Sequence, residues 1–254
     1  MSHVVTLLHS IHLFPRKLSL LIAGESENDR QGIRGGDTCL SVEGLRYTTA
    51  LCELVWSRPQ VAEASPQVLT GTLQRYSQLT DMLCSGAGWR GSSCLKLKSL
   101  NELCFGSLEG LPGGQLRYAH PREFEKRKAD KLNYRYPGVG GESYMDRIIQ
   151  ARNVIISLER AQCDVAIACD ITVARVLLGY FEGTPLAHIP EIGVAPGLIE
   201  LTRSHSGYSR EVLRVDEGAV HCGASTLADA MYNDWSGQMH DVVAGCWEER
   251  NKSK

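Results

Sequence analysis

The stretch LSLLIAGESENDRQGIRGGD, residues 18–37, passes in one step from an apolar run to glycine and charge. Residues 18–22, apolar but for Ser19, have the length and composition of a strand buried on both faces. Ala23, Gly24, Glu25 and Ser26 then stand where an α/β protein displays its reactive side chains, just beyond the carboxyl end of a strand. Yet Ile22 and Ala23, at the exit itself, carry no group that attacks, protonates or holds an anion. The loop has the frame of an active site without a reactive tip.

Two further apolar runs, residues 165–169 and 197–202, are the other candidate core strands. Helical spacing predicts helices over 41–56, with Ser41 as N-cap, and over 72–84, 144–162 and 172–181. Strands alternating with helices predict an α/β three-layer sandwich, a mostly parallel sheet with helices on both faces. Residues 106–141, rich in Gly, Pro, Lys, Arg and Tyr, break this rhythm and read as an excursion over the sheet edge, the kind of segment that carries specificity. Beyond Val215 the strand signal is low, and one helix around 227–235 is expected in a tail.

The chain of 254 residues suffices for one large core. Its 43% apolar and 22% charged residues are ordinary for a globular protein, and a net charge of −2 gives no electrostatic case for nucleic acid or an anionic membrane. Nine cysteines without a CxxC pair read as reduced thiols of a cytoplasmic protein, not as a disulfide framework or zinc site. No metal or cofactor is called for. The first residues are apolar but interrupted by His3, His9, His12 and Pro15, which makes a poor signal peptide.

The order of motifs resembles the histidine phosphatase superfamily (phosphoglycerate mutase-like fold). Within it, the chain resembles the fructose-2,6-bisphosphatase domains of bifunctional kinase/phosphatases. The family's strand followed by Arg-His-Gly-Glu aligns with Ile22-Ala23-Gly24-Glu25, its Gly-Gly-Asp turn with Gly35-Gly36-Asp37, and its Leu-Ser helix start with Leu40-Ser41 and Gly44. Its middle arginine aligns with Arg75, and its Leu-Asn-Glu acid motif with Leu100-Asn101-Glu102. The sugar-binding stretch aligns with REFEKRKADKLNYRYPGVGGESY, residues 122–144, placing Arg127, Lys131, Arg135 and Tyr144 in register, with two extra residues between Pro137 and Glu142. The second histidine strand exit aligns with IACDITVARVLLGYF, residues 167–181. The resemblance implies a connector over residues 1–17, a phosphatase-like domain over 18–215 and a tail over 216–254. It also implies a kinase domain upstream, or a homodimer, as partner.

The departures set the functional expectation. Family chemistry uses a neutral imidazole to attack phosphorus, guanidinium groups to hold the phosphoryl oxygens and an acid to protonate the leaving alcohol. By resemblance, Ala23 and Asp170 stand at the two histidine positions and Ile22 at a phosphate-holding arginine. Asp29 stands for the loop Asn and Ile171 for the Gln after the second His, while Arg75 and Glu102 are retained. Losing a nucleophile that acts within a unit costs on the order of 10⁶ in rate, about 8 kcal/mol. The implied function is a pseudophosphatase that binds fructose 2,6-bisphosphate or fructose 6-phosphate, or that regulates a kinase; the alternatives are a phosphatase working through a rearranged site and a structural relic.

Plainer readings stand beside each assignment. The glycines also serve tight turns, Arg75 also reads as a solvated helix arginine, and Glu102 as a surface acid. Arg127, Lys131 and Arg135 lie in a basic run of the kind that is usually a solvated face. Asp170 as a metal ligand lacks partners at ligand spacing.

Overall fold

The computed structural model describes residues 15–215, apart from 62–63, 87–88, 113–114 and 205–206. The expected tail helix around 227–235 and most of the connector over 1–17 lie outside these residues. The first strand, β1 (Lys17–Ile22), is buried at every position, as its apolar run requires. It lies at the centre of a six-stranded sheet with β2 (Gln67–Thr70), β3 (Ser93–Lys96), β4 (Val165–Cys169), β5 (Leu198–Ser204) and β6 (Gly207–Leu213), in the order β3-β2-β4-β1-β5-β6. The β1–β4, β2–β4 and β2–β3 pairs are parallel, whereas β5 runs antiparallel to β1, and β6 to β5.

Three of these strands carry no apolar run and escape the pattern. β2 spans only four residues, β3 is an edge strand exposed along its whole length, and β6 is an edge strand with no fully buried residue. A strand covered on one side, or on neither, has no reason to be continuously apolar.

The predicted helices form close to the expected bounds. α1 (Glu27–Arg30) is a single turn in the loop after β1. α2 (Val42–Ser57) starts at Ser41, whose hydroxyl accepts the Gly44 N–H at 3.0 Å. α3 (Gln74–Ser85) follows β2. The excursion holds α4 (Leu116–Ala119) and α5 (Pro121–Ala129), over a small separate core of Leu103, Phe105, Leu108, Leu116, Tyr134 and Tyr136. α6 (Tyr144–Arg160) opens with a capping box between Ser143 and Asp146, and α7 (Ile171–Phe181) is capped by Asp170. α2 packs against α3 and α6 against α7, two pairs that flank the sheet.

Candidate functional site

Parallel pairing puts the carboxyl ends of β1 and β4 side by side, with Ile22 opposite Cys169 and the Ala23 N–H donating to the Cys169 carbonyl at 3.0 Å. The next residues are Ala23 on one strand and Asp170 on the other. Behind them the loop 23–44 is drawn tight. The Ser41 hydroxyl donates to the buried Glu25 carboxylate at 2.7 Å. Gly44 lies so close to this loop that an added Cβ would sit 2.1 Å from the Glu25 carbonyl oxygen, so only glycine fits there.

Ile22 is 2% exposed and belongs to the core, its carbonyl accepting the Tyr47 hydroxyl at 3.1 Å. Asp170 is committed to the backbone. One of its carboxylate oxygens accepts the Val173 N–H at 3.0 Å and the other the Thr172 N–H at 3.1 Å. An N-cap carboxylate of this kind is held by two donors at the positive end of a helix, where negative charge is favoured.

Arg75, in the first turn of α3, faces these exits and is ringed by acceptors. Its Nη1 donates to Asp29 Oδ2 at 3.1 Å. Its Nη2 donates to Glu102 Oε2 at 2.6 Å and to the Tyr76 hydroxyl at 3.0 Å. Asp29 is fixed in turn, its Oδ2 accepting both the N–H and the hydroxyl of Ser26 at 2.9 Å. Burial works against the Arg75 charge, but the Tyr76 phenol and the Glu102, Asp29 and Asp170 carboxylates outweigh it and hold the guanidinium well above its ordinary value. Glu102 is pushed the other way for a carboxyl, up to about 7. Burial raises it, Arg75 opposes, and Asp170 and Asp29 raise it further. The site therefore sets one guanidinium against two carboxylates when Glu102 is protonated and three when it is ionised.

At the far end, Lys131 donates to the Pro190 carbonyl at 3.0 Å, and its ammonium lies 5.9 Å from the centre of the Tyr144 ring. The Tyr144 hydroxyl accepts from Arg175 Nη1 at 3.0 Å, and Arg175 Nε donates to the Ile192 carbonyl at 2.9 Å. Arg175 is buried, and sequence reasoning gave it no role of its own. Its signal was a single arginine inside the otherwise apolar helix ITVARVLLGYF. Tyr76 was also missed, with adjacency to Arg75 as its only cue. Arg135 turns outward, its side chain 63% exposed, and pairs with Asp146 and the Gly141 carbonyl. Arg127 is half-buried on α5, near enough to the Tyr134 phenol for its charge to act there. The structure thus brings Lys131, Tyr144 and Arg175 together, engages Arg135 elsewhere, and sets Arg75 with Glu102, Asp29 and Asp170. Among the described residues, no group of three or more His, Cys, Asp or Glu side chains is placed to hold a metal ion. None of the helices described is long and apolar enough to cross a membrane.

The family model described as "Histidine phosphatase superfamily (branch 1)" matches residues 19–216, the sheet but for the first two residues of β1, with both strand exits. The chain belongs to this superfamily. Among curated proteins, it is 36% identical over 189 residues to an Arabidopsis thaliana "6-phosphofructo-2-kinase/fructose-2,6-bisphosphatase", a match covering 74% of this chain and 24% of the relative. It is 32% identical over 207 residues to the Saccharomyces cerevisiae "6-phosphofructo-2-kinase 1", covering 76% of this chain and 25% of the relative. The chain spans about a quarter of the length of these two relatives. Among solved structures, the Shigella flexneri alpha-ribazole phosphatase superposes with a TM-score of 0.66 at 19% identity, covering 78% of this chain and 96% of that one. At that identity the likeness is one of fold. The histidine phosphatase fold sets the exits of β1 and β4, and with them Ala23 and Asp170, together at the carboxyl edge of the sheet.

Proposed function

We propose that residues 18–215 form a fructose-2,6-bisphosphatase-like domain that binds a sugar phosphate without hydrolysing it. We place it beside a 6-phosphofructo-2-kinase domain upstream, or in a homodimer, with 1–17 as connector and 216–254 as tail. The observation that carries the reading is the pair of residues at the adjoining strand exits. Ala23 has no nucleophile, and both carboxylate oxygens of Asp170 are bound to backbone N–H groups. A carboxylate there also opposes a phosphate dianion, at ~1–4 kcal/mol per charge pair at about 4 Å, depending on screening. Ligand recognition rests on Lys131, Tyr144 and Arg175, two cations gathered about one phenol, where a phosphate finds charge-assisted hydrogen bonds. The resemblance assigns Arg127 and Arg135 to the same end, but Arg135 is paired with Asp146 and Arg127 lies near Tyr134.

One observation favours residual hydrolysis: the Arg75–Glu102 pair keeps a buried acid with a pKa near neutrality beside a guanidinium. Incubation with 2-³²P-labelled fructose 2,6-bisphosphate separates the two readings. The expected result is no acid-labile label on the protein and no phosphate release above a denatured control. Label that is lost on prior denaturation overturns the non-hydrolytic reading.

A further inference from the structure

Glu102 has no regular element of its own; it lies between a 3₁₀ turn at Lys98–Leu100 and the irregular segment leading to Phe105. What holds it comes from α6 and from the residue two positions before that helix. Arg147, 3% exposed, donates from Nη2 to the backbone carbonyl of Glu102 at 3.2 Å and from Nη1 to that of Ser99 at 3.3 Å. The same Nη2 pairs with the Glu142 carboxylate. Glu142 Oε2 accepts the Cys104 N–H at 2.9 Å, its Oε1 accepts from Gln150 Nε2 at 2.8 Å, and the Glu142 N–H donates to the Cys104 carbonyl at 3.0 Å. One ion pair, buried at its Arg147 end, therefore ties the backbone at 99, 102 and 104, on either side of the residue whose carboxylate meets Arg75.

We propose that Arg147 and Glu142 act as a positioning pair for Glu102, fixing its backbone so that the carboxylate stays in the enclosed site against Arg75. The proposal deepens the functional reading above, because it concerns the same acid. A buried arginine on α6 satisfied only by its own carboxylate would stabilise the fold without reaching the site. Here the backbone carbonyls of Ser99 and Glu102 itself accept from both of its terminal nitrogens, so the pair's geometry is passed directly to Glu102. Supports of this kind set the geometry of a functional group by locking the segment that carries it.

The test follows the titration of Glu102 in the ligand-free protein by ¹³C NMR of labelled glutamate carboxyls, with Glu102→Gln assigning the resonance. Needing no ligand, it succeeds or fails independently of whether a sugar phosphate binds. In Arg147→Leu the released segment exposes Glu102 to water, and burial, the largest cause of its raised pKa, weakens. The midpoint is expected to fall by about one unit or more towards the ordinary carboxyl range. Glu142→Gln, which keeps an acceptor for the Cys104 N–H, should shift it in the same direction by less, and Arg147→Lys should restore part of the wild-type value. Val154→Ala, a cavity in the core face of the same helix, controls for general destabilisation and should leave the midpoint in place. If Arg147→Leu does not fold, Glu142→Gln against Val154→Ala decides. An unchanged midpoint in the Arg147 and Glu142 variants, or an equal shift in Val154→Ala, overturns the proposal.

Discussion

Arg75 and Glu102 meet at 2.6 Å in a pocket that also holds Asp29 3.1 Å from the same guanidinium. A phosphate approaching this arginine meets a cation already surrounded by carboxylates. On the proposed reading that relationship leaves the strand-exit end of the site electrostatically spent, and it has a pH signature.

Glu102 has a folded-state pKa raised to about 7 from an ordinary 4.5. A raised pKa means that the folded chain holds a proton that the unfolded chain has released. The contribution of this group to stability is therefore intact below about pH 4.5 and is lost as pH rises towards 7, a change on the order of 3 kcal/mol. Urea midpoints measured across this window should fall more steeply with pH in the wild type than in Glu102→Gln. Parallel slopes contradict the assignment.

Asp170 has two roles that substitution can separate. As N-cap of α7 it satisfies two backbone donors, and as a charge it raises the pKa of Glu102. Asp170→Asn keeps the cap and should stay within about 0.5 kcal/mol of wild-type stability, whereas Asp170→Ala should lose about 1 kcal/mol. Both should lower the Glu102 midpoint. Chemical denaturation with carboxyl NMR on the same samples checks the two effects separately.

Rebuilding the chemistry should need more than a nucleophile. Ile22→Arg, Ala23→His and Asp170→His together supply the groups that the family resemblance assigns, and phosphate release should exceed that of Ala23→His alone. Adding Asp29→Asn should raise it again, because the Asp29 carboxylate takes up an Nη1 donor of the Arg75 guanidinium. Ile22 is 2% exposed, so the triple variant should also melt at a lower temperature. Equal turnover in the single and triple variants contradicts this electrostatic account.

The sheet was legible where strands are buried on both sides. The runs at β1, β4 and β5 read directly, but β2, β3 and β6 did not, because a four-residue strand or an exposed edge strand carries no apolar run long enough to read. Helix starts were legible through their caps, Ser41 above all. At the candidate site, the absence of a reactive group at Ala23 was plain, and the family resemblance pointed to Arg75, Glu102, Lys131 and Tyr144. What spacing could not convey was pairing across the chain. Arg75 is claimed by Asp29, 46 residues earlier, and Tyr144 by Arg175, 31 residues later. Arg135 is in register but turns to Asp146, since an exposed arginine takes the nearest carboxylate at the start of α6.

The central claim is that recognition survives at the Lys131–Tyr144–Arg175 end while the strand-exit end no longer attracts a phosphate. Calorimetric titration with fructose 6-phosphate and fructose 2,6-bisphosphate tests it most directly. The two ligands should bind with affinities within about threefold of each other. Lys131→Ala and Arg175→Ala should weaken both alike, each lost contact being worth roughly 1.5–3 kcal/mol. If the bisphosphate binds at least about tenfold tighter, a difference of about 1.4 kcal/mol, and Arg75→Ala removes that advantage, the strand-exit end is still a working anion site and the account is wrong.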